Sequence, residues 1–413
     1  MGEIYRRDFI KISAAGAVAA SLPATLNALG ADSPAGSVSV WTTNASRKYE
    51  KQPSLTWAKK KATKSAVVIN PKEQKQEVVG FGGAFTDATC YTLNRLEPGV
   101  RKELFHEFFA PEEMHLSAGR ICIGASDYSV KAYSFDDSPE PDPELTRFSI
   151  DHDRDYIIPI LKEARAINPN LWLLGSPWSP PGWMKFNNSM LGGSMRRKYL
   201  GVYADYFIKF LDAYAAAGVR VNSVTSQNEV DTDQDGRMPA CIWPQEYEIE
   251  FVRDHLGPRM AKAANPADIW LLDHNYNLWG RAMCELEDPG TNKVAKGIAW
   301  HGYVGSADAM TKVKKAYPTK DMFWTEGGPD FETPGYEVEW AKWGAQFTDI
   351  LRNWARAIMV WNLALDEAGN PNIGPFKCAG LVTVNSRTRE IVRSGQLYAM
   401  QHFARHIRRG AHI

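Results

Sequence analysis

The chain has 413 residues, with 48 basic against 48 acidic side chains and a 44% hydrophobic fraction. Zero net charge removes any electrostatic reason to expect nucleic acid or an anionic membrane surface as partner. The length exceeds the roughly 250 residues of one eight-fold barrel, so a further module or long loops are expected. Aromatics are abundant, at 14 Trp, 16 Tyr and 17 Phe. They can fill a large core or stack on the C–H faces of sugars.

The first element is an address. Arg6-Arg7-Asp8-Phe9-Ile10-Lys11 has the twin-arginine form, and a weakly apolar stretch follows. Pro23, Asn27 and a richness in alanine make that stretch a poor membrane span, so no stable membrane insertion is expected. A twin-arginine signal peptide is therefore expected over residues 1–31, with the export machinery as partner and a periplasmic or secreted destination. Export of a folded chain suits five cysteines (Cys90, Cys122, Cys241, Cys284 and Cys378) without a C-x-x-C pair. Neither a zinc site nor a disulfide framework is suggested.

Residues 32–78 are polar, and the segments 37–41 and 66–69 alternate like strands of a side module. From Val79 the texture changes. Apolar runs begin at Val79, Gly119, Leu171, Val221, Ile269, Gly297, Met322 and Ala357, each followed by a helical pattern or a long loop. Alternating strand and helix implies a parallel sheet, and eight units imply a closed barrel over residues 79–408. Two helices are plainly amphipathic. One carries Tyr199, Tyr203, Tyr206, Phe207, Phe210 and Tyr214 on one stripe, with Gly218 as its stop. The other carries Trp340, Trp343, Phe347, Ile350, Leu351 and Trp354. Both stripes read as barrel-facing surface.

Polar and aromatic residues collect at the strand ends: Ser126-Asp127-Tyr128, Ser176-Pro177-Trp178-Ser179, His301-Gly302-Tyr303 and Trp361-Asn362. Two strings end in a glutamate, Thr225-Ser226-Gln227-Asn228-Glu229 and Phe323-Trp324-Thr325-Glu326. They follow the fourth and seventh strands. A glutamate there sits where barrels carry chemistry rather than packing. Two carboxyl groups on one rim are the minimum equipment for glycoside hydrolysis, one to protonate the leaving oxygen and one to attack the anomeric carbon. Their pKa values must be pushed apart. Asn228 can donate to the sugar 2-hydroxyl, and Tyr303 can donate a hydrogen bond to Glu326.

Other chemistries are set aside. Asp231-Thr232-Asp233-Gln234-Asp235-Gly236 imitates a calcium loop but has Ile242 where the bidentate glutamate belongs. Gly80-Phe81-Gly82-Gly83-Ala84 is not a dinucleotide fingerprint, and there is no G-K-[ST] string and no G-x-S-x-G elbow. His274 and His301 lack a third ligand at metal spacing and are expected to be hydrogen-bonding pocket residues rather than metal ligands. No metal or organic cofactor is expected.

From residue 78 onward the chain resembles glycoside hydrolase family 30, the glucosylceramidase-like and β-1,6-glucanase family. The strings that carry the resemblance are Gly80 to Ala84 with Thr86-Asp87, Ser126-Asp127-Tyr128-Ser129, Ser176-Pro177-Trp178-Ser179-Pro180-Pro181, Thr225 to Glu229, His301-Gly302-Tyr303, Thr325-Glu326 and Trp361-Asn362-Leu363-Ala364-Leu365. The resemblance implies Glu229 as acid/base and Glu326 as nucleophile, with Arg120, Asp127, Trp178, Asn228, His301, Tyr303 and Trp361 lining the sugar subsite. It implies an α/β fold, a (β/α)8 TIM barrel with a β-sandwich side module built from both ends of the chain. Residues 32–78 would supply its first strands. With 409–413 as the C-terminal end, the sandwich is expected to be incomplete. Gly302 stands where the family often has Trp, which is expected to open or reshape the pocket. The expected activity is retaining hydrolysis of β-glucosides, either glycolipid (glucosylceramidase-like) or β-glucan such as the β-1,6-linked polymer. The rival from another class is a non-catalytic carbohydrate-binding barrel.

Overall fold

The computed structural model describes residues 37–56, 67 and 70–413. The expected signal peptide and most of the 66–69 segment lie outside the described residues. Strands β1 (Ser37–Thr42) and β2 (Glu50–Thr56) form a two-stranded antiparallel sheet. It packs on the last helix (Gly395–Ala404) and the turn after it. Trp41 lies 4.7 Å from His406, and Thr43 hydrogen-bonds His402 at 2.8 Å. Among the described residues β1 pairs only with β2.

The barrel follows, from β3 (Gly80–Phe85), β4 (Ala118–Cys122), β5 (Trp172–Ser176) and β6 (Ser223–Thr225) to β7 (Asp268–Asn275), β8 (Gly297–His301), β9 (Asp321–Glu326) and β10 (Ala355–Val360). Each pairs in parallel with the next, and β10 closes on β3. All eight begin within two residues of the positions read from the sequence. A third sheet, of β11 (Ala364–Leu365), β12 (Val382–Val384) and β13 (Ile391–Arg393), lies between β10 and the last helix. Nothing in the sequence pattern announced it. The two amphipathic helices are Leu200–Ala216 and Trp340–Arg352. Their stripes are buried as expected, apart from Trp354, which lies beyond its helix and is half-buried. Gly218 ends the first helix at φ +85°, a conformation that favours glycine.

The glycine-rich string of β3 is a packing device. A Cβ on Gly82 would sit 1.6 Å from the Ala118 carbonyl oxygen. Glycine there lets β3 lie against β4.

Side chains alternate across each strand, so every second residue fills the barrel interior. The interior is therefore layered. At the lower end Ala118, Leu174, Trp270, Ala299 and Phe323 form an apolar plug, with Trp270 stacked on Phe323 at 3.6 Å. Two residues further along the same strands come Arg120, Ser176, His301 and Thr325, all fully buried. Charge thus sits directly above the plug, at the end where the strands open into βα loops.

Candidate active site

A cavity of about 360 Å³ opens above this polar layer. Asp127, Trp178, Asn228, Glu229, Tyr303, Glu326 and Trp361 all line it. Arg120 and His301 do not; they form the layer beneath. The sequence reading put both on the sugar, whereas here they hold the carboxyl groups that face it.

Two β-bulges position the charges. In β7 the register with β8 slips between Leu272 and His274, and Leu272 and Asp273 take positive φ. The slip lets neighbouring residues both act on the site: Asp273 reaches the polar layer and His274 the cavity. In β9 the slip at Trp324 and Glu326 does the same for Thr325 and Glu326. Bulges beside active sites re-aim side chains in this way.

Asp273 is the hub. Its Oδ2 accepts from Arg120 (2.7 Å), Ser176 (2.8 Å) and Thr225 (2.7 Å), and its Oδ1 from His301 (3.0 Å) and Thr325 (2.8 Å). Burial would raise its pKa, but Arg120 and His301 with these donors hold it far below the carboxylate range. Arg120 answers with the opposite shift. Burial opposes its charge, and Asp273 and Glu326 overcome that. Its guanidinium donates to Glu326, to Asn228 Oδ1 (2.8 Å) and to Asp273, and lies 4.6 Å from the Trp178 ring. Binding Oδ1 to Arg120 leaves the Asn228 amide N–H groups for a ligand. Trp178 and Trp361 stack at 5.1 Å.

Glu326 ends β9. It accepts from Arg120 and, on its other oxygen, from the Tyr303 hydroxyl at 3.1 Å. The Tyr303 ring is partly exposed at the rim while its hydroxyl reaches inward. Burial and then the Glu326 charge raise its pKa, so it stays a donor.

Glu229 lies four residues beyond β6 at φ +52°. Its N–H donates to the Asp273 carbonyl at 3.0 Å and Asn228 N–H to Pro177 at 2.7 Å, which holds this unfavoured backbone in place. Its Oε1 lies 3.2 Å from His301 Nδ1, and its Oε2 accepts from Gln234 at 3.1 Å. Burial alone would lower the His301 pKa. The carboxylates of Glu326, Asp273 and Glu229 outweigh it and raise the value to about 9. For Glu229, burial would raise the pKa, but His301, His274 and Arg120 pull it below its ordinary value. The mobile proton of the unliganded site is therefore favoured on the imidazole, 3.2 Å from the Glu229 carboxyl. One imidazole separates the two glutamates, since His301 Nε2 is 3.7 Å from Glu326 Oε2.

Asp127 behaves differently. Burial, then the charges of Glu326 and Glu229, push its pKa well up, and its Oδ1 has no protein partner. A carboxyl facing the cavity with an oxygen free of protein partners can accept from a sugar hydroxyl.

Several lining residues were missed from sequence. Gln234, Met238, Phe376 and Cys378 come from long loops. Tyr128 pins the last two, its hydroxyl donating to Phe376 O and accepting from Cys378 N–H. His274 lines the cavity as the expected hydrogen-bonding pocket residue, whereas its neighbours Asp273 and Asn275, in the same polar string at the end of β7, were missed. Gly302 does not open the pocket. A Cβ there would meet the Trp324 ring at 2.7 Å, outside the barrel wall. The expectation that His274 and His301 lack a third donor is also corrected, because Glu229 stands between them. Asp231 is taken up by His274 and Asp235 by Arg237, so the acidic loop does not converge as a calcium site.

The model of the glycosyl hydrolase family 30 TIM-barrel domain matches residues 78–407. The chain belongs to glycoside hydrolase family 30. It is 32% identical over 354 residues to an endo-1,6-β-D-glucanase of Neurospora crassa, covering 83% of this chain and 72% of that one. It is 28% identical to the lysosomal acid glucosylceramidase of Mus musculus, over 94% of this chain and 78% of the other. Among solved structures, the endo-β1,6-glucanase BT3312 superposes with a TM-score of 0.78 at 31% identity, covering 83% of this chain and 79% of that one. SrfJ of Salmonella typhimurium superposes at 0.84 with 26% identity, covering 88% and 83%. This family 30 chain is thus a retaining O-glycosyl hydrolase with a glycan substrate.

Proposed function

We propose that the enzyme cleaves β-1,6-linked glucan by double displacement, with Glu326 as nucleophile and Glu229 as acid/base. The observation that carries the mechanism is the placement of these two glutamates on either side of His301, facing one cavity. The substrate reading rests on the identity of 31–32% with endo-1,6-β-glucanases in both sequence and structure comparisons.

The steps follow from the contacts. Glu326, aimed by Arg120 and Tyr303, attacks the anomeric carbon and forms a glycosyl ester. Glu229 receives the His301 proton across 3.2 Å and passes it to the departing oxygen. Esterification removes the Glu326 charge, so the site favours the Glu229 carboxylate, which then deprotonates water. Attack of that water releases the sugar with retained configuration. Asn228 N–H groups and the Asp127 carboxyl hold sugar hydroxyls, and the Trp178–Trp361 pair offers an apolar floor.

Glucosylceramide is the second reading, favoured by the 94% coverage of this chain in the match to the lysosomal enzyme. Product analysis on linear β-1,6-glucan and on glucosylceramide separates the two. Oligosaccharides released from the glucan support the first. Glucose released only from the lipid would replace it with the second. Twin-arginine export to the periplasm or medium belongs to the same proposal, supported by the Arg6-Arg7 string.

A further inference from the structure

We propose that Glu229, His274 and His301 form a site for a divalent transition ion, with Zn²⁺ the best fit, and that capture of the ion switches hydrolysis off. The second half rests on the reading of Glu229 as acid/base.

Four observations converge. His301 Nδ1 and His274 Nδ1 lie 3.2 and 3.4 Å from the same Glu229 oxygen, and the three donor atoms lie within 4.8 Å of one another. A tetrahedral ion with bonds of about 2.0–2.1 Å sets its donors roughly 3.3 Å apart. His274 Nδ1 is a buried polar atom without a hydrogen-bond partner, and its residue lines the cavity. Both imidazoles are held from behind by a carboxylate: Asp231 at 2.6 Å from His274 Nε2, and Asp273 at 3.0 Å from His301 Nε2. Such outer carboxylates orient imidazoles toward a metal and strengthen them as ligands. The remaining side of the cluster faces the cavity, so a fourth ligand can come from water.

Two imidazoles and one carboxylate suit Zn²⁺ and its transition-series neighbours, and suit Mg²⁺ and Ca²⁺ poorly. Binding releases the proton carried by His301, as metal binding to imidazole does generally. An ion here ties up the Glu229 lone pair. The carboxyl can then neither protonate the leaving oxygen nor activate water. The charge of the ion also sits where the sugar oxygen must lie. The site is therefore an off-switch in an enzyme whose chemistry requires no metal.

The test titrates the chelator-treated full chain with ZnCl₂ by calorimetry and follows β-1,6-glucan hydrolysis in parallel. The expected result is one ion per chain and loss of turnover with the same midpoint. Full recovery is expected with EDTA, and no effect from MgCl₂ or CaCl₂. Co²⁺ in place of Zn²⁺ should give the intense visible bands of a four-coordinate ion. His274→Gln should abolish this binding. Asp231→Asn, at a partly exposed position, should weaken it about 10–100-fold. No stoichiometric binding, or an affinity unchanged in both variants, would overturn the site. Zinc bound at one per chain with unaltered turnover would overturn the switch, and would count against the role of Glu229 rather than against the metal site.

Discussion

Arg120 and Asp273 form an ion pair with no exposure on either side, Nη2 to Oδ2 at 2.7 Å, directly beneath the cavity floor. The pair connects the two glutamates. Arg120 extends from it to Glu326, and Asp273 extends through His301 to Glu229. The site is therefore one charge network rather than two independent carboxyl groups.

Asp273→Asn should destabilise the fold by about 3–5 kcal/mol, the cost of leaving one member of a buried pair uncompensated. It removes the charge opposite Arg120 and His301 and keeps the volume. Thermal or denaturant unfolding checks this. A variant as stable as the parent would mean that Asp273 does not anchor the layer.

His301 makes stability depend on alkaline pH. Its folded pKa of about 9 lies above the ordinary value near 6.5. The stabilisation is fully present below about 6.5 and is lost as pH rises through 9, on the order of 3 kcal/mol in all. Lys185, lowered by burial to about 8, acts in the opposite sense. The readout is thus the difference between the parent and His301→Gln in denaturant titrations. That difference should shrink from pH 6.5 to pH 9.5, and a constant difference contradicts an imidazolium at neutral pH.

Glu229→Ala should slow the first step for substrates with poor leaving groups by at least about 10²-fold and spare that step for those with very good ones, which need no proton; turnover of the latter is then limited by slowed breakdown of the glycosyl ester. Azide should restore the rate and yield a β-glycosyl azide, because the small anion replaces the activated water. An α-azide, or no rescue, argues against the acid/base role.

Arg6→Lys with Arg7→Lys should leave uncleaved precursor in the cytoplasm. Fractionation of cells expressing the double variant tests this. Normal export of that variant would assign the chain to another route.

The barrel was legible because its signal is periodic. Apolar runs at Val79, Ile269 and Ala357 and stripes such as Tyr203–Phe207–Phe210 repeat with the strand or helix period, and they were read correctly. Glu229 and Glu326 were legible because each terminates such a run. Less legible was the layer beneath them. A bulge is invisible to a period-two pattern, so His274 was read as a pocket residue while nothing marked its neighbour Asp273 as acting on the site too. The loop residues Phe376 and Cys378 reach the cavity only because Tyr128, some 250 residues earlier, pins their backbone. Gly302 was misjudged for a related reason. Strand alternation turns it outward, and the space beside it belongs to Trp324.

In the proposed mechanism Glu326 attacks the sugar. Incubation with a 2-deoxy-2-fluoro β-glucoside carrying a good leaving group, followed by peptide mass spectrometry, tests it most directly. One fluoroglucosyl group per chain is expected on the peptide bearing Glu326, with no labelling or turnover in Glu326→Gln. A label on any other carboxyl group, or labelling that persists in that variant, would contradict it.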